Sequence, residues 1–355
     1  ESLQLTLEVW VNSELALSTI AEFWPGNISR LVVSPNGMGS ECSTTSPCSV
    51  QQAIKRVNQN GISLIEFETR TSDWYCIPWS LQHLNGYAVT LQPRNSSETV
   101  QWGCPGRAGY SVGIEISAGT VRVNQFTFHH CTTALTLGAK AVLELSHSSF
   151  VDNLHAISCS QKSVLSVDHC YFVGNTDGAV TISEGLQLLL SHSIFNNNSR
   201  ILKDPRVDGG AAVFADVLES ATIHNCSFVN NSAPGNTVRS HGGAIRVRSP
   251  RVHVSLSRFQ NNSVIDPSGA ERSSNGGALA IDNGKTLDGV GFLNITSSTF
   301  TNNHASSSCG ALEISMMNTT MSESSFVSNG ASISGGAACV SAPIFSMSGC
   351  NFSNN

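Results

Sequence analysis

Three histidines, His147, His169 and His192, each stand three residues before a phenylalanine, at intervals of 22 and 23 residues. If the chain repeats at that interval, their imidazoles form an outward column stepping about 4.8 Å per repeat. Stacked imidazoles carry the nitrogen donors that zinc takes. No second shell for a metal is evident beside them, so the expectation is a plain surface ladder with no metal and no cofactor. The outward acids Glu144, Asp168, Asp282, Glu313 and Glu323 are sparse and share no column when aligned on the phenylalanines. Glycosidases need paired carboxylates at set separations. A calcium-dependent lyase needs clustered carboxylates and a base. Neither set is legible. Arg246, Arg248, Arg251 and Arg258 fall in one repeat and read as a solvated basic face with room for an acidic sugar. Phosphate loops, dinucleotide fingerprints and zinc protease motifs are absent from the sequence.

Two further residue types carry chemistry of modification. Nine Asn-X-Ser/Thr sequons occur, at Asn27, Asn95, Asn197, Asn225, Asn230, Asn261, Asn294, Asn318 and Asn351, and they are candidate attachment points for N-linked glycans. Eleven cysteines imply disulfides and an oxidising compartment. Cys42 and Cys48 flank a short loop and are expected to pair, with Cys76 and Cys104 as the next pair. Cys170, Cys226 and Cys350 recur two residues before a phenylalanine and read as interior free thiols. An odd total leaves at least one cysteine without an intrachain partner. Only 12% of residues are charged, about half the usual share, and Gly, Ser, Thr and Asn take their place. A net charge of −6 gives no basic footprint for nucleic acid. No apolar run approaches the roughly 18 residues of a membrane span. The sequence opens at Glu1 without a basic-then-apolar leader, as after removal of a signal peptide. A secreted or cell-surface glycoprotein is therefore expected.

What must position these residues is a repeat. Phe-x-x-Asn recurs as Phe150/Asn153, Phe172/Asn175, Phe195/Asn198, Phe228/Asn231, Phe259/Asn262, Phe300/Asn303, Phe326/Asn329 and Phe352/Asn355. A degenerate copy has Phe128 with Cys131 in the asparagine place. The residue five before each phenylalanine is apolar, from Val123 and Leu145 to Met347, and the residue two before is usually small, as in Ser148 and Ser193. That alternation is a strand with one buried face. Between units lies Gly-Gly-Ala plus an apolar residue, at Gly209-Gly210-Ala211, Gly242-Gly243-Ala244, Gly276-Gly277-Ala278 and Gly335-Gly336-Ala337, with Cys309-Gly310-Ala311 as a weaker copy. About 22 residues cannot hold a helix-bearing repeat of 33 or 34. A coil of short strands stacked on the next coil remains. Phenylalanine then stacks inside, and asparagine forms a ladder at a turn where it can adopt the left-handed conformation. The longer intervals arise mostly between Asn and Gly-Gly-Ala, so segments 199–208, 232–241 and 263–275 are expected along one edge.

The fold class expected is all-β: a parallel β-helix of about nine coils with a short capping helix. In "SPCSVQQAIKRVNQNG", Val50, Ala53, Ile54 and Val57 have helical spacing, Ser49 is a plausible N-cap and Gly61 follows the end. Residues 1–30 form an N-terminal extension whose first segment, 1–12, alternates cleanly and either packs on its own molecule or adds to a neighbour's sheet edge. Residues 31–127 hold the cap and irregular early coils, and residues 128–355 the regular coils. The final "CNFSNN" stops at a repeat unit without a polar cap, so more chain or a partner is expected to cover that end.

The pairing of Phe-x-x-Asn with Gly-Gly-Ala over roughly residues 120–355 resembles the repeats of polymorphic outer membrane proteins, and the helix before the first coils is similar to the start of pectin-lyase-like β-helices. The resemblance implies a right-handed parallel β-helix with a role in adhesion or surface display. Asn175-Thr176-Asp177-Gly178 resembles the Asn-Thr-Asp motif of polygalacturonases. However, Asn175 belongs to the ladder, and the Asp-Asp, Gly-His-Gly and Arg-Ile-Lys motifs of that family are missing; His241-Gly242-Gly243 and Arg246-Val247-Arg248 are partial echoes. The expected function is a non-enzymatic extracellular structural or adhesive glycoprotein. It could be a filament subunit that associates with itself or with other extracellular proteins. The alternatives are a carbohydrate-active lyase or hydrolase, or a glycan-binding module.

Overall fold

The computed structural model describes residues 3–11, 14–23, 30–39, 41–60, 64–69, 75, 79–81, 88–103, 111–200, 209–234, 240–265, 274–284 and 290–355. The first strand, β1 (Leu3–Val11), pairs antiparallel with β2 (Glu14–Phe23) in a two-stranded sheet of its own. The sequence reading gave β1 no partner inside the extension. The register Leu3 to Phe23 supplies one.

All other strand pairs are parallel, beginning with β3 (Arg30–Val33) against Leu64–Phe67. The helix α1 (Val50–Asn60) follows. Its start is a reciprocal cap: the Ser49 amide donates to Gln52 Oε1 (3.2 Å) and the Gln52 amide to Ser49 Oγ (3.3 Å). Val50, Ala53 and Val57 are buried in the same core cluster as Leu31 and Val33.

The phenylalanines lie on a ten-stranded parallel sheet running from Val100–Gly103 to Asn351–Ser353. Pairing is phenylalanine to phenylalanine, from Phe128 through Phe150, Phe172, Phe195, Phe228, Phe259, Phe300 and Phe326 to Phe352. Neighbouring rings stack at 4.5–5.0 Å with planes 0–11° apart. The file also extends above the repeat: Trp102 pairs with Phe128, and Tyr75 stacks on Trp102 at 5.6 Å. Repeat matching on phenylalanine could not find these two, because the same interior space is filled by other aromatics.

The asparagines form a second file. In each coil the Asn Oδ1 accepts from the backbone amide and the side-chain amide of the asparagine one coil earlier. Its own Nδ2 donates to the next asparagine and to the phenylalanine carbonyl of the coil before. For Asn303 these are Asn262 N (3.0 Å), Asn262 Nδ2 (3.0 Å), Asn329 Oδ1 (3.0 Å) and Phe259 O (3.0 Å). Asn153, Asn175, Asn198, Asn231, Asn262, Asn303 and Asn329 are all buried, so every carboxamide is satisfied without water. Cys131 keeps the register by donating its backbone amide to Asn153 Oδ1.

The structure corrects one expectation for this file. Asn198 and Asn231, expected to be left-handed turn residues, do not have positive φ, and neither do the other ladder asparagines of the regular coils up to Asn329. The left-handed residue is the exposed one before, as in Asn197, Asn230, Asn261, Asn302 and Asn354, with φ of 52–54°. The reason is the direction each side chain must take. Asn198 Nδ2 donates inward to Phe172 O (3.0 Å) and Asn231 Oδ1 (2.9 Å), and Asn231 Nδ2 to Phe195 O (3.0 Å) and Asn262 Oδ1 (3.0 Å). The preceding residue takes the left-handed bend and leaves its side chain in solvent. A second left-handed bend stands three residues before each phenylalanine, at Gln125, His147, His169, His192, Asn225, Leu256, Ser297, Glu323 and Gly349.

The Gly-Gly-Ala element meets two demands. Its first glycine is left-handed at Gly242, Gly276 and Gly335 (φ 66–70°). The second lies under the next coil, where a Cβ on Gly243 would come within 2.1 Å of the Gly277 carbonyl oxygen. The stems of the inserted segments pair from coil to coil: Ser232–Pro234 with Ser263–Ile265, and Ser240–His241 with Ser274–Asn275.

Two substitutions in one coil test this packing. Phe300→Ala should cost about 3–5 kcal/mol by opening a cavity. Asn303→Ala should cost about 3 kcal/mol or more by stranding several buried polar groups. Thr299→Ala, on the exposed side of the same strand, should stay within about 0.5 kcal/mol. Urea unfolding of the three variants checks the ranking.

Candidate functional site

The strands that follow Gly-Gly-Ala alternate inward and outward, and their outward positions align from coil to coil as Thr181, Phe214, Arg246, Ala280, Glu313 and Cys339. Ile245 and Val247 face the core. Arg246, on the outer side, is nevertheless only 6% exposed. One carboxylate pairs with it and a second lies near enough to feel its charge. Asp282 Oδ2 accepts from Arg246 at 2.6 Å and lies 3.8 Å from Arg248 Nε, while its Oδ1 accepts from the Gly284 amide at 2.8 Å. Glu313 binds His241 Nδ1 at 2.6 Å through Oε2 and Asn275 Nδ2 at 3.2 Å through Oε1. The small side chain of Ala280 separates Arg246 from Glu313 in the file. His241 and Asn275 are delivered by the stems of the inserted segments.

The electrostatics favour fixed charge over proton transfer. Burial pushes the Glu313 carboxyl up. Hydrogen bonding and charge from His241, with Arg246 and Asn275 behind, outweigh burial and hold it below the usual carboxylate range. A general acid needs the opposite shift. At the edge of the cluster, Arg200 and Arg248 both lie over the Phe214 ring, 5.6 and 5.7 Å from its centroid. Arg200 donates to the Gly209 carbonyl (3.2 Å) and to Thr181 Oγ1. Burial lowers its pKa to about 10, so it stays cationic.

The polygalacturonase-like tetrapeptide is part of the scaffold. Asn175 is a ladder residue, and Asp177 sits 3.5 Å from His155 Nε2 and bridges to Arg200 in the backbone. A separate depression of about 410 Å³ is lined by Glu68, Thr69, Arg94, Asn95 and Glu98. Its Glu68 carboxylate is engaged by Arg94 at 2.8 Å.

Of the glycan candidates, Asn95, Asn197, Asn225, Asn230, Asn261 and Asn351 are exposed. Asn197, Asn230 and Asn261 share one left-handed file on three successive coils, and Asn261 Nδ2 reaches Asn230 Oδ1 at 3.2 Å. Asn294 and Asn318 are half-buried, each with a buried side-chain oxygen. Asn27 lies outside the described residues, as do Cys76 and Cys104. Cys42 and Cys48 form a disulfide, and so do Cys309 and Cys339, which join two adjacent coils. The second bridge was missed because its members occupy different places in the repeat. Cys170 and Cys226 are buried thiols raised to about 12 by burial, Cys131 and Cys159 are also buried, and Cys350 is half-buried. Among the described residues no helix is long and apolar enough to cross a membrane.

Acid should loosen this structure in two steps. Burial lowers the pKa of His129, His155 and His253. The unfolded chain therefore takes those protons first, and stability is lost as pH falls below about 6.5. The lowered Glu313 carboxyl adds a further loss below about pH 4. Thermal melting between pH 8 and 3 checks this: the midpoint should decline through pH 6.5–5 and again below 4. A flat profile above pH 5 would contradict the burial of those three imidazoles.

A family comparison agrees with the architecture. Residues 112–286 match the family model described as the right handed beta helix region. Among solved structures, the crystal structure of pectate lyase Pel9A is similar at 15% identity, covering 89% of this chain and 78% of that one, with a TM-score of 0.33. No curated protein matches the chain. Stacked parallel coils, with one short helix among the described residues, and the matched region together make this chain a right-handed parallel β-helix.

Proposed function

We propose that the chain is a non-enzymatic extracellular glycoprotein with a structural or adhesive role, associating with itself or with other extracellular proteins. The observation that carries this reading is the commitment of its outward polar groups to the solenoid itself. The two carboxylates nearest the buried arginine are each engaged, Asp282 by Arg246 and Glu313 by His241, and Glu313 is tuned away from acid catalysis. The repeat's resemblance to polymorphic outer membrane protein repeats supports surface display. The exposed sequon file supports a glycan-bearing edge, and the Cys42–Cys48 and Cys309–Cys339 bridges suit an oxidising compartment. A second reading, glycan binding at the inserted edge, is favoured by Arg248 beside Phe214 and Asp282.

The secreted protein, incubated with pectin, alginate and related polymers, should give no cleavage products, while sedimentation and electron microscopy should show self-association. Depolymerisation of any of these substrates, abolished by Glu313→Gln, would replace the scaffold reading with an enzymatic one. Saturable binding without cleavage, lost in Arg248→Ala, would select the glycan-binding reading. Glycopeptide mapping should find glycans at Asn95, Asn197, Asn225, Asn230 or Asn261. A glycan-free protein from a glycosylating host would contradict the glycoprotein assignment.

A further inference from the structure

Three side chains with metal-ligating atoms converge on the outside of the bend that precedes the phenylalanine file. Asp168 ends the strand Val164–Asp168, His169 is the left-handed bend residue after it, and His192 is the same bend residue one coil on. Because the bend repeats, the rings align: His147 stacks on His169 at 5.2 Å, and His169 on His192 at 4.6 Å. The Asp168 carboxylate lies between the two lower rings, with Oδ2 2.7 Å from His169 Nδ1 and Oδ1 2.9 Å from His192 Nδ1. Ser191 Oγ donates to the same Oδ1 at 2.7 Å. The three ligand atoms all lie within 4.8 Å of one another.

We propose that Asp168, His169 and His192 form a binding site for a single divalent transition-metal ion of the zinc class, held by one carboxylate oxygen and two Nδ1 atoms. One oxygen and two imidazole nitrogens suit zinc and leave a fourth, solvent-facing position. Metal–ligand bonds of about 2.0–2.1 Å in tetrahedral geometry place ligand atoms about 3.3 Å apart. The two present contacts fall on different oxygens of the carboxylate, so they must open and the rings must shift onto one oxygen. All three side chains are at least 39% exposed and can rotate to do so. On binding, each ring carries its proton on Nε2, which leaves Nδ1 free for the metal. Ser191 orients the carboxylate as an outer-shell donor, and His147 and His224 wall the two rings from either side.

The fold does not itself call for these residues. The same bend accepts Gln125, Asn225, Leu256, Ser297 and Gly349 in other coils. The strand-final position before it is Asn124, Ser146, Ser191, His224, Ser255, Thr296, Ser322 or Ser348 elsewhere, and is acidic only at Asp168, where two histidines flank it. A sequence alignment on phenylalanine shows the histidine column but not the carboxylate reaching across to the next coil.

The natural occupant Asn225 shows that asparagine holds the bend, which makes His169→Asn and His192→Asn variants that keep the backbone. Untagged full-length protein, stripped with a chelator, is titrated with Zn2+ by calorimetry and with Co2+ by absorption. One ion per chain should bind with a Kd of roughly 10 µM or tighter. His169→Asn, His192→Asn and Asp168→Asn should each weaken binding at least about tenfold, with melting in chelator unchanged. His147→Gln, the residue that Gln125 already places at this bend, should stay within about twofold, because it supplies no ligand. Absence of saturable binding up to about 100 µM free Zn2+ would overturn the proposal. So would affinity that is indifferent to Asp168→Asn and His192→Asn, or equally sensitive to His147→Gln.

Discussion

A carboxamide has two protons to give and an oxygen that can accept twice, and the asparagine file uses all four contacts in the dry interior. Asn262 and Asn303 show the arrangement in full, each linked to the coil before and the coil after. Such a group is costly to bury unless every contact is made. Slipping one coil by a single residue would break the contacts on both sides, so the file fixes the register of each coil on its neighbours. The phenylalanines add apolar area and stacked contact but could slide. The asparagines specify where they stop. Variation is therefore pushed to places that do not disturb the file: the corner between asparagine and Gly-Gly-Ala, where the inserted segments leave and return in paired stems.

Much of this was legible in the sequence because the repeat places one residue type at one point of the coil. Phe150 to Phe352, the buried asparagines, the α1 cap at Ser49 and the small residues at Ser148 or Ser257 all follow from periodicity and pattern. Other features were hidden for physical reasons. Trp102 and Tyr75 fill the phenylalanine space with different chemistry. The left-handed turn belongs to Asn197 and Asn230, not to their buried neighbours Asn198 and Asn231, since adjacent asparagines look alike until burial separates them. Arg246 and Glu313 each stand thirteen residues before a phenylalanine, but Ala280 in the coil between them stands twenty before Phe300, so alignment on phenylalanine breaks the file that alignment on Gly-Gly-Ala restores.

The same geometry bears on function. A rigid solenoid presents outward side chains in straight files, one coil apart, which favours repeated display along an edge over the convergent grouping that catalysis requires. The cluster around Arg246 is one convergent grouping among the described residues, and its two carboxylates are held by Arg246 and His241. The Asp168 group is different in kind. It is open to solvent, compact and rich in nitrogen donors, so it offers a ligand site without disturbing the interior. Scaffold and ligand site thus arise from one device, the vertical file, acting inward through asparagine and outward through histidine.

Native-state hydrogen exchange, followed by mass spectrometry, tests the central claim most directly. If the asparagine file locks the coils together, amides of Ser149–Val151, Ser227–Val229 and Ser325–Val327 should be protected to a similar, high degree and should open together as denaturant is added. Exchange in those three strands as fast as in exposed loops, or opening of each at its own denaturant concentration, would contradict it.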